Sequence, residues 1–528
     1  MRLSNKTTVI TLLVLMVVIL VQCTSLTNDS PPATKPTEFS EYDVSKGQEM
    51  AAQYCQSCHK LPDPSLLDKE TWARHVLPAM RSYLGIHLAA PAGHIPNPGD
   101  DEYYQATQPT ITPAQWKQLG AYYITKSPDK LPPLNQAAPI HQLPFFKIEA
   151  TPAEWISTQS LTSFVKIDTS VVPHRLIVCD GLTNRLIILN DKVQTIKSSI
   201  LDGPIVDLLF QKNKIIATTI GPDLAANNFK VGNIRQINIG KNGTVTPQVK
   251  PIFQQLSRPV SVDMVDLNQD GKKDYLIAQF GKMIGRLSWF EGVGKNSKEH
   301  ILRDKPGCLK TIIDYDNKSK APNIWALFSQ GDEGVFLYTN DGKGNFEEKR
   351  LLSFPPSYGS TSFDLVDFNG DGFKDIIYTC GDNADYSQIL KPYHGVYIYL
   401  NDGKNNFTQK YFYPIYGCSK AIVKDFDGDG DLDIATISEF PGHRETWEAF
   451  VYFENKGGLK FQTYTLPLTT QFTRGMTMDA ADIDGDGKTD LLLGAGFAAD
   501  DLKGNDKQPL FVLLKNISPG AGKAIKRK

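Results

Sequence analysis

The sequence predicts a multidomain chain in which a small all-α domain precedes an all-β seven-bladed propeller. Three observations predict it. Two segments between residues 43 and 130 carry helix start and stop signals. After about residue 143 the chain turns to short β-type runs, with one acidic pattern recurring roughly every 50 to 60 residues. Each recurrence offers four strands, and radial repetition of four-stranded units hides sheet edges.

In chain order, Arg2 and Lys6 precede an apolar run from Val9 to Val21 that ends at Cys23, which reads as a signal peptide over residues 1–22. Leu20-Val21-Gln22-Cys23 resembles a bacterial lipobox, although Gln22 replaces the usual small residue. The resemblance implies lipidation of Cys23, membrane attachment through a lipid anchor alone, and an extracytoplasmic, outer-membrane location. Residues 23–42 are rich in Ser, Thr and Pro, a tether composition. Acidic and basic residues nearly cancel, 58 against 56, so no overall field argues for a nucleic-acid partner. Of the seven cysteines, Cys179 and Cys380 lie in apolar strand-like runs and are expected as buried thiols; Cys308 and Cys418 are left open.

In the α domain, residues 43–130, SKGQEMAAQYC forms one helical signal. The other, ITPAQWKQLGAYYITKSP, has Thr112 as N-cap, Pro113 in its first turn, and Trp116, Leu119, Tyr122 and Tyr123 on one face. Between them, Cys55, Cys58 and His59 have the spacing by which two thiols bond to the vinyl groups of haem while the His ligates iron. A zinc or dithiol CxxC is the alternative, but zinc would need further cysteines nearby and the next is Cys179. The segment resembles a class I monohaem cytochrome c. That resemblance implies covalent haem c, electron transfer to a redox partner protein, and a distal Met. Met80, following Pro78 in an expected loop, is the candidate, with His75, His87, His94 or an open sixth site as alternatives.

A Pro-rich linker, residues 131–144, leads to the propeller at 145–516, with residues 517–528 as a polar tail. The acidic pattern stands at Asp266, Asn268, Asp270 and Asp274; at Asp367, Asn369, Asp371 and Asp375; at Asp425, Asp427, Asp429 and Asp433; and at Asp482, Asp484, Asp486 and Asp490. A weaker copy begins at Asp314, and two earlier units lack the loop. The seventh unit has three strands, so residues 145–150 are expected to supply its fourth and close the ring. Alternate oxygen donors with a Gly at the turn suit a hard cation, here calcium, against the alternative of an acidic turn held by backbone bonds. Ile277, Tyr378, Thr436 and Leu493 replace the Glu that an EF-hand requires at loop position twelve. The loops resemble the FG-GAP or VCBS repeats of integrin-α-like propellers, which implies calcium on these side chains.

Three function classes remain: an electron-transfer protein whose propeller binds a partner or ligand, a haem-coupled dehydrogenase, and an adhesion or carbohydrate-active propeller. Six tryptophans in all disfavour the tryptophan-repeat propellers of quinohaemoprotein dehydrogenases. Long second-to-third strand connections fall opposite the acidic loops, and on that face Arg258, Arg474, Lys310 and Lys420 are candidates to meet an anionic or carbohydrate ligand or an acidic partner.

Overall fold

The computed structural model describes residues 39–86, 109–134, 136–211, 214–222, 224, 227–247, 250–293, 297–315, 321–384, 389–442, 446–496 and 507–519. Cys23, His87, His94 and His443 lie outside them.

Two long helices frame the α domain. The first, Glu41–Tyr54, starts where the Ser40 hydroxyl accepts the Asp43 N–H at 3.1 Å, with Glu41 and Asp43 complementing the helix dipole. The second, Pro113–Lys126, starts in a capping box: Thr112 N–H donates to Gln115 Oε1 at 2.8 Å, and Gln115 N–H donates back to the Thr112 hydroxyl at 3.3 Å. They meet at Gly47, where an added Cβ would lie 2.0 Å from Gln118 O. Only glycine permits that approach. Trp72 and Tyr123 pack beside the crossing with ring centroids 4.3 Å apart, within a core of Ala51, Leu67, Leu77 and Leu119.

The β region is a closed ring of seven antiparallel blades. Blades one to six use consecutive strands. The seventh joins Gly475–Ala481, Asp490–Ala495 and Phe511–Asn516 to Phe146–Glu149, which arrives from before blade one as the strand count requires. Phe146 pairs with Asn516 and Glu149 with Leu513. In blades three to seven the second strands are buried on both faces, whereas the outermost strands of blades three to five are largely exposed or half-buried. Sequences such as DIIYTC are therefore continuously apolar rather than alternating.

All seven innermost strands share a bulge after their first residue. In three blades the bulged residue carries a hydroxyl that donates to the next blade: Ser163 to Ile205 O at 2.8 Å, Thr361 to Cys418 O at 2.9 Å, and Ser419 to Gly475 O at 3.0 Å. The bulge thus turns a local irregularity into a bond between blades.

Strand polarity sorts the connections. The acidic loops join first to second strands on one face; second-to-third connections and the approaches to each innermost strand lie on the other. The linker is bonded to the propeller rather than free. Gln136 Nε2 donates to Pro414 O at 2.6 Å, and Ile140 bonds to Thr463 and Thr465 of blade six at 3.0 and 2.9 Å.

The closing strand can be tested at Phe146, 4% exposed and edge-on to Phe426 and Tyr452 at 5.8 and 5.4 Å. Phe146→Ala should lower unfolding free energy by about 3–5 kcal/mol. An unchanged denaturant midpoint would show that this strand does not complete blade seven.

Candidate functional site

The four acidic loops share one template. The first Asp accepts the N–H of the Gly five residues on: Gly271 at 2.9 Å, Gly372 at 2.8 Å, Gly430 at 3.1 Å and Gly487 at 2.8 Å. These glycines have φ between 82° and 100°, with open space around them, so backbone conformation selects glycine there. The last Asp is buried. Asp274, Asp375, Asp433 and Asp490 accept the N–H of Leu267, Phe368, Phe426 and Ile483 at 2.8–3.1 Å. In three blades it also accepts from the Asn ending the third strand: Asn401, Asn455 and Asn516.

Carboxylate oxygens of Asp425, Asp427 and Asp433 can all lie within 4.8 Å of one another, as can those of Asp482, Asp484 and Asp490. Burial first, and neighbouring carboxylates after it, push Asp274 and Asp490 up to about 6 and Asp427 up to about 7; burial raises Asp433 to about 6. Crowded oxygens that disfavour their own ionisation suit a hard cation. Asp484 also meets Lys515 at 3.0 Å, and Asp314, start of the weaker copy, is paired with Lys374 of the next blade. Asp316 and Asn317 lie outside the described residues.

Register shows what replaces the final Asp elsewhere. Arg175 in blade one, Lys214 in blade two and Asn323 in blade four take the pairing position that Asp occupies in the other four blades. Arg175 Nε donates to Asp168 Oδ2 at 2.7 Å, both side chains being under one-tenth exposed.

At the third or fifth residue of each innermost strand stands one ionisable side chain: Lys166, Asp207, Asp263, Lys310, Asp364, Lys420 and Asp479. Lys166 pairs with Asp479 at 3.0 Å, and Lys310 and Lys420 donate to Phe363 O and Met478 O at 2.7 and 2.8 Å. Burial, with Lys310 close by, pulls Lys420 down to about 8, and burial raises Asp207 to about 7. Three lysines and four aspartates balance within one charge, which makes this an internally compensated plug.

Arg258 donates to Gly281 O at 3.0 Å and Leu224 O at 3.3 Å, and lies over Phe280. Arg474 lies over Phe440, and its charge acts on Glu439, which burial and Asp382 push up to about 7. The structure therefore brings acids to the mouth that Arg474 shares. Lys310 and Lys420 are each bonded to a carbonyl of the adjacent blade's innermost strand.

Cys55 and Cys58 are free thiols, as are Cys179, Cys308, Cys380 and Cys418, all four buried. Cys55 ends the first long helix as its C-cap, and burial raises its thiol. His59 Nδ1 lies 2.9 Å from Lys60 O; a carbonyl only accepts, so Nδ1 carries the proton and Nε2 keeps the ring's lone pair. Met80 ends the short helix Leu77–Met80 instead of sitting in a loop, because Asp68 caps a run of helical turns that carries on through Trp72–Val76. It is half-buried, whereas His75 is exposed.

The α domain rests on the propeller face opposite the acidic loops. Lys60 Nζ donates to Ser353 O at 3.1 Å, Tyr393 OH to Leu66 O at 2.9 Å, and Tyr83 OH to Met283 Sδ at 3.6 Å; Ile389 of blade five packs into the helical core. Sequence reasoning missed Tyr393, Arg175 and the third-strand asparagines. The recurrence of Asn at 340, 401, 455 and 516 was a readable signal; Arg175 is defined by strand register and Tyr393 by a partner 327 positions away.

Residues 323–378 match the FG-GAP-like repeat and residues 474–512 the FG-GAP repeat. Each span contains one acidic loop in full. The chain thus carries FG-GAP repeats in a seven-bladed propeller, an architecture consistent with ligand or partner binding. No curated protein matches the chain. Among solved structures it is similar to the N-terminal domain of Nup159, at 11% identity over 72% of this chain and 98% of that one with TM-score 0.40. It is also similar to an ancestral GH74 enzyme, at 8% identity over 71% of this chain and 51% of that one with TM-score 0.45.

On the docking face, Glu333 accepts from Ser360 N–H at 2.9 Å and from the Ser360 hydroxyl at 2.6 Å, and burial pushes its carboxyl up to about 8. A carboxyl raised above its unfolded value binds its proton more tightly in the folded state. Its stabilising contribution is complete below about pH 4.5 and is lost as pH rises toward 8. The melting temperature of Glu333→Gln should therefore fall less than that of the parent protein between pH 5 and 8. Parallel curves would show that Glu333 does not titrate in this range.

Proposed function

We propose that this protein is an exported electron carrier in which Cys55, Cys58 and His59 hold covalent haem c and the propeller, braced by calcium, presents a binding face to a redox partner. The observation that carries the reading is the Cys-x-x-Cys-His spacing at the end of a capped helix, with both thiols unpaired and His59 Nδ1 bonded to Lys60 O. Cys55 and Cys58 would supply the thioether sulfurs, His59 Nε2 one axial ligand, and Met80 the other. Bound there, haem supplies reversible one-electron transfer. Cys23 would carry the lipid that anchors the chain to the outer membrane; among the described residues no helix is long and apolar enough to cross a membrane.

Calcium would take the side-chain oxygens of the four acidic loops. Its part is to offset carboxylates that burial otherwise drives toward protonation, which holds first and second strands together at their hairpin. The binding face is the one that carries the α domain, Arg258, Arg474 and the long connections of blades two, five, six and seven.

Expression with a haem-attachment system should give about one covalent haem per chain by the pyridine haemochrome assay, and a chain without covalent haem overturns the reading. Met80→Ala should abolish the near-infrared charge-transfer band between Met and iron and lower the potential; an intact band places the distal ligand elsewhere. Removing calcium with a chelator should lower the propeller's melting temperature and leave haem attached. Elemental analysis showing no calcium after chelator-free purification would count against the metal sites.

A further inference from the structure

We infer that the propeller supports the segment carrying His59, with Tyr393 and Lys60 as positioning residues; this rests on the haem reading above. The segment after His59 runs Lys60-Leu61-Pro62-Asp63-Pro64-Ser65-Leu66. Pro62 and Pro64 have no backbone N–H, and the one regular element in the segment is the single 3-10 turn Pro64–Leu66, which Asp63 caps by accepting the Ser65 N–H at 2.8 Å. Beyond the turn bond from Leu66 N–H to Asp63 O at 3.1 Å, the segment is held by side chains that donate to four of its carbonyls. Lys60 O accepts from His59 Nδ1 at 2.9 Å, Pro62 O from Tyr123 OH at 3.3 Å, Pro64 O from Trp72 Nε1 at 2.8 Å, and Leu66 O from Tyr393 OH at 2.9 Å. Three of these donors belong to the α domain. The fourth comes from blade five.

Tyr393 is itself fixed. Its ring stacks on Tyr358 at 4.9 Å, Tyr358 stacks on Phe354 at 5.9 Å, and its carbonyl accepts from Tyr397 OH at 2.6 Å and Cys380 Sγ at 3.4 Å. At the other end, Lys60 Nζ reaches Ser353 O at the end of the outermost strand of blade four, and the carbonyl of that same lysine orients the His59 ring. Blades four and five thus grip the segment at both ends, and the first grip is one residue from the axial His. A histidine whose ring partner sits on a pinned backbone keeps its orientation, and outer partners of this kind govern how firmly a ligand is held. The propeller therefore acts on the iron's coordination without touching it.

The test uses the full-length protein, comparing Tyr393→Phe and the double variant Lys60→Met/Tyr393→Phe with the parent. Haem content should be unchanged, since the thioether residues are untouched. Backbone amides of Leu61, Asp63, Ser65, Leu66 and Leu67 should exchange with deuterium faster, and in a Met80→Ala background, where the distal side is open, the ferrous His59–iron stretching band should shift to lower wavenumber and broaden. A merely structural Tyr393 would lower the melting temperature and leave that band and segment exchange alone, and that result overturns the inference. A chain carrying no haem would sink the functional reading instead, while amide exchange in the same variants would still decide whether blade five supports the segment.

Discussion

Ring closure is the constraint on which the rest of the structure depends. Three strands of blade seven come from the end of the propeller, and the fourth, Phe146–Glu149, comes from before its beginning. Whatever precedes residue 146 must therefore start from the seam of a closed ring. Leu143 and Phe146 lie in the core cluster shared by blades six and seven, so the linker is already committed to that sector before the first blade forms. Bonds from Gln136, Ile140 and His141 to blades five and six then fix its path. A helical unit carried on so short a leash has little choice of where to sit, and Lys60, Tyr83 and Leu66 find their partners on blades three to five.

Closure also explains the division of charge. Seven innermost strands must converge on one channel, where Lys166 pairs with Asp479, Lys310 and Lys420 donate to carbonyls of adjacent blades, and Asp207, Asp263 and Asp364 accept from backbone N–H or hydroxyl groups. Uncompensated negative charge is pushed outward to the first hairpins. Where a hairpin carries the full acidic loop, its buried Asp is raised toward neutrality; where blade one lacks the loop, a guanidinium occupies the position and pairs at 2.7 Å. The same hairpin position thus holds a paired guanidinium in one blade and a carboxyl raised toward neutrality in four others.

The sequence disclosed what depends on local spacing. Thr112, Pro113 and Gln115 announce a helix start within four residues, and the aspartate pattern announces a loop within nine. Strand order was legible because the seventh unit was one strand short and an unassigned β run lay upstream. What stayed hidden depends on register or on distance. Arg175 becomes equivalent to Asp274 once both are known to pair with the last residue of their innermost strand. Tyr393 reads as one more strand-edge aromatic until Leu66, 327 positions away, is placed against it. Met80 was misjudged for a related reason: Pro78 suggested a loop, but it follows the π-helical turn Trp72–Val76, an irregularity in the bond ladder where a residue without an N–H is accommodated inside a helical run.

The two halves of the molecule are coupled through rigidity rather than through shared side chains at one site. Tyr358, Tyr393 and Tyr397 lie in a stacked cluster continuous with the core shared by blades four and five. A displacement of blade five would therefore be felt at Leu66. Because the segment from Lys60 to Leu66 has two prolines and five of its seven carbonyls engaged, it has little room to absorb that displacement by rearranging its own bonds. It must pass the movement on to His59 or resist it. A partner bound on the docking face would act on the same blades. Closing a ring that large costs more chain entropy than a tether would, and what it provides is a fixed support for a segment whose own bonds amount to one capped turn.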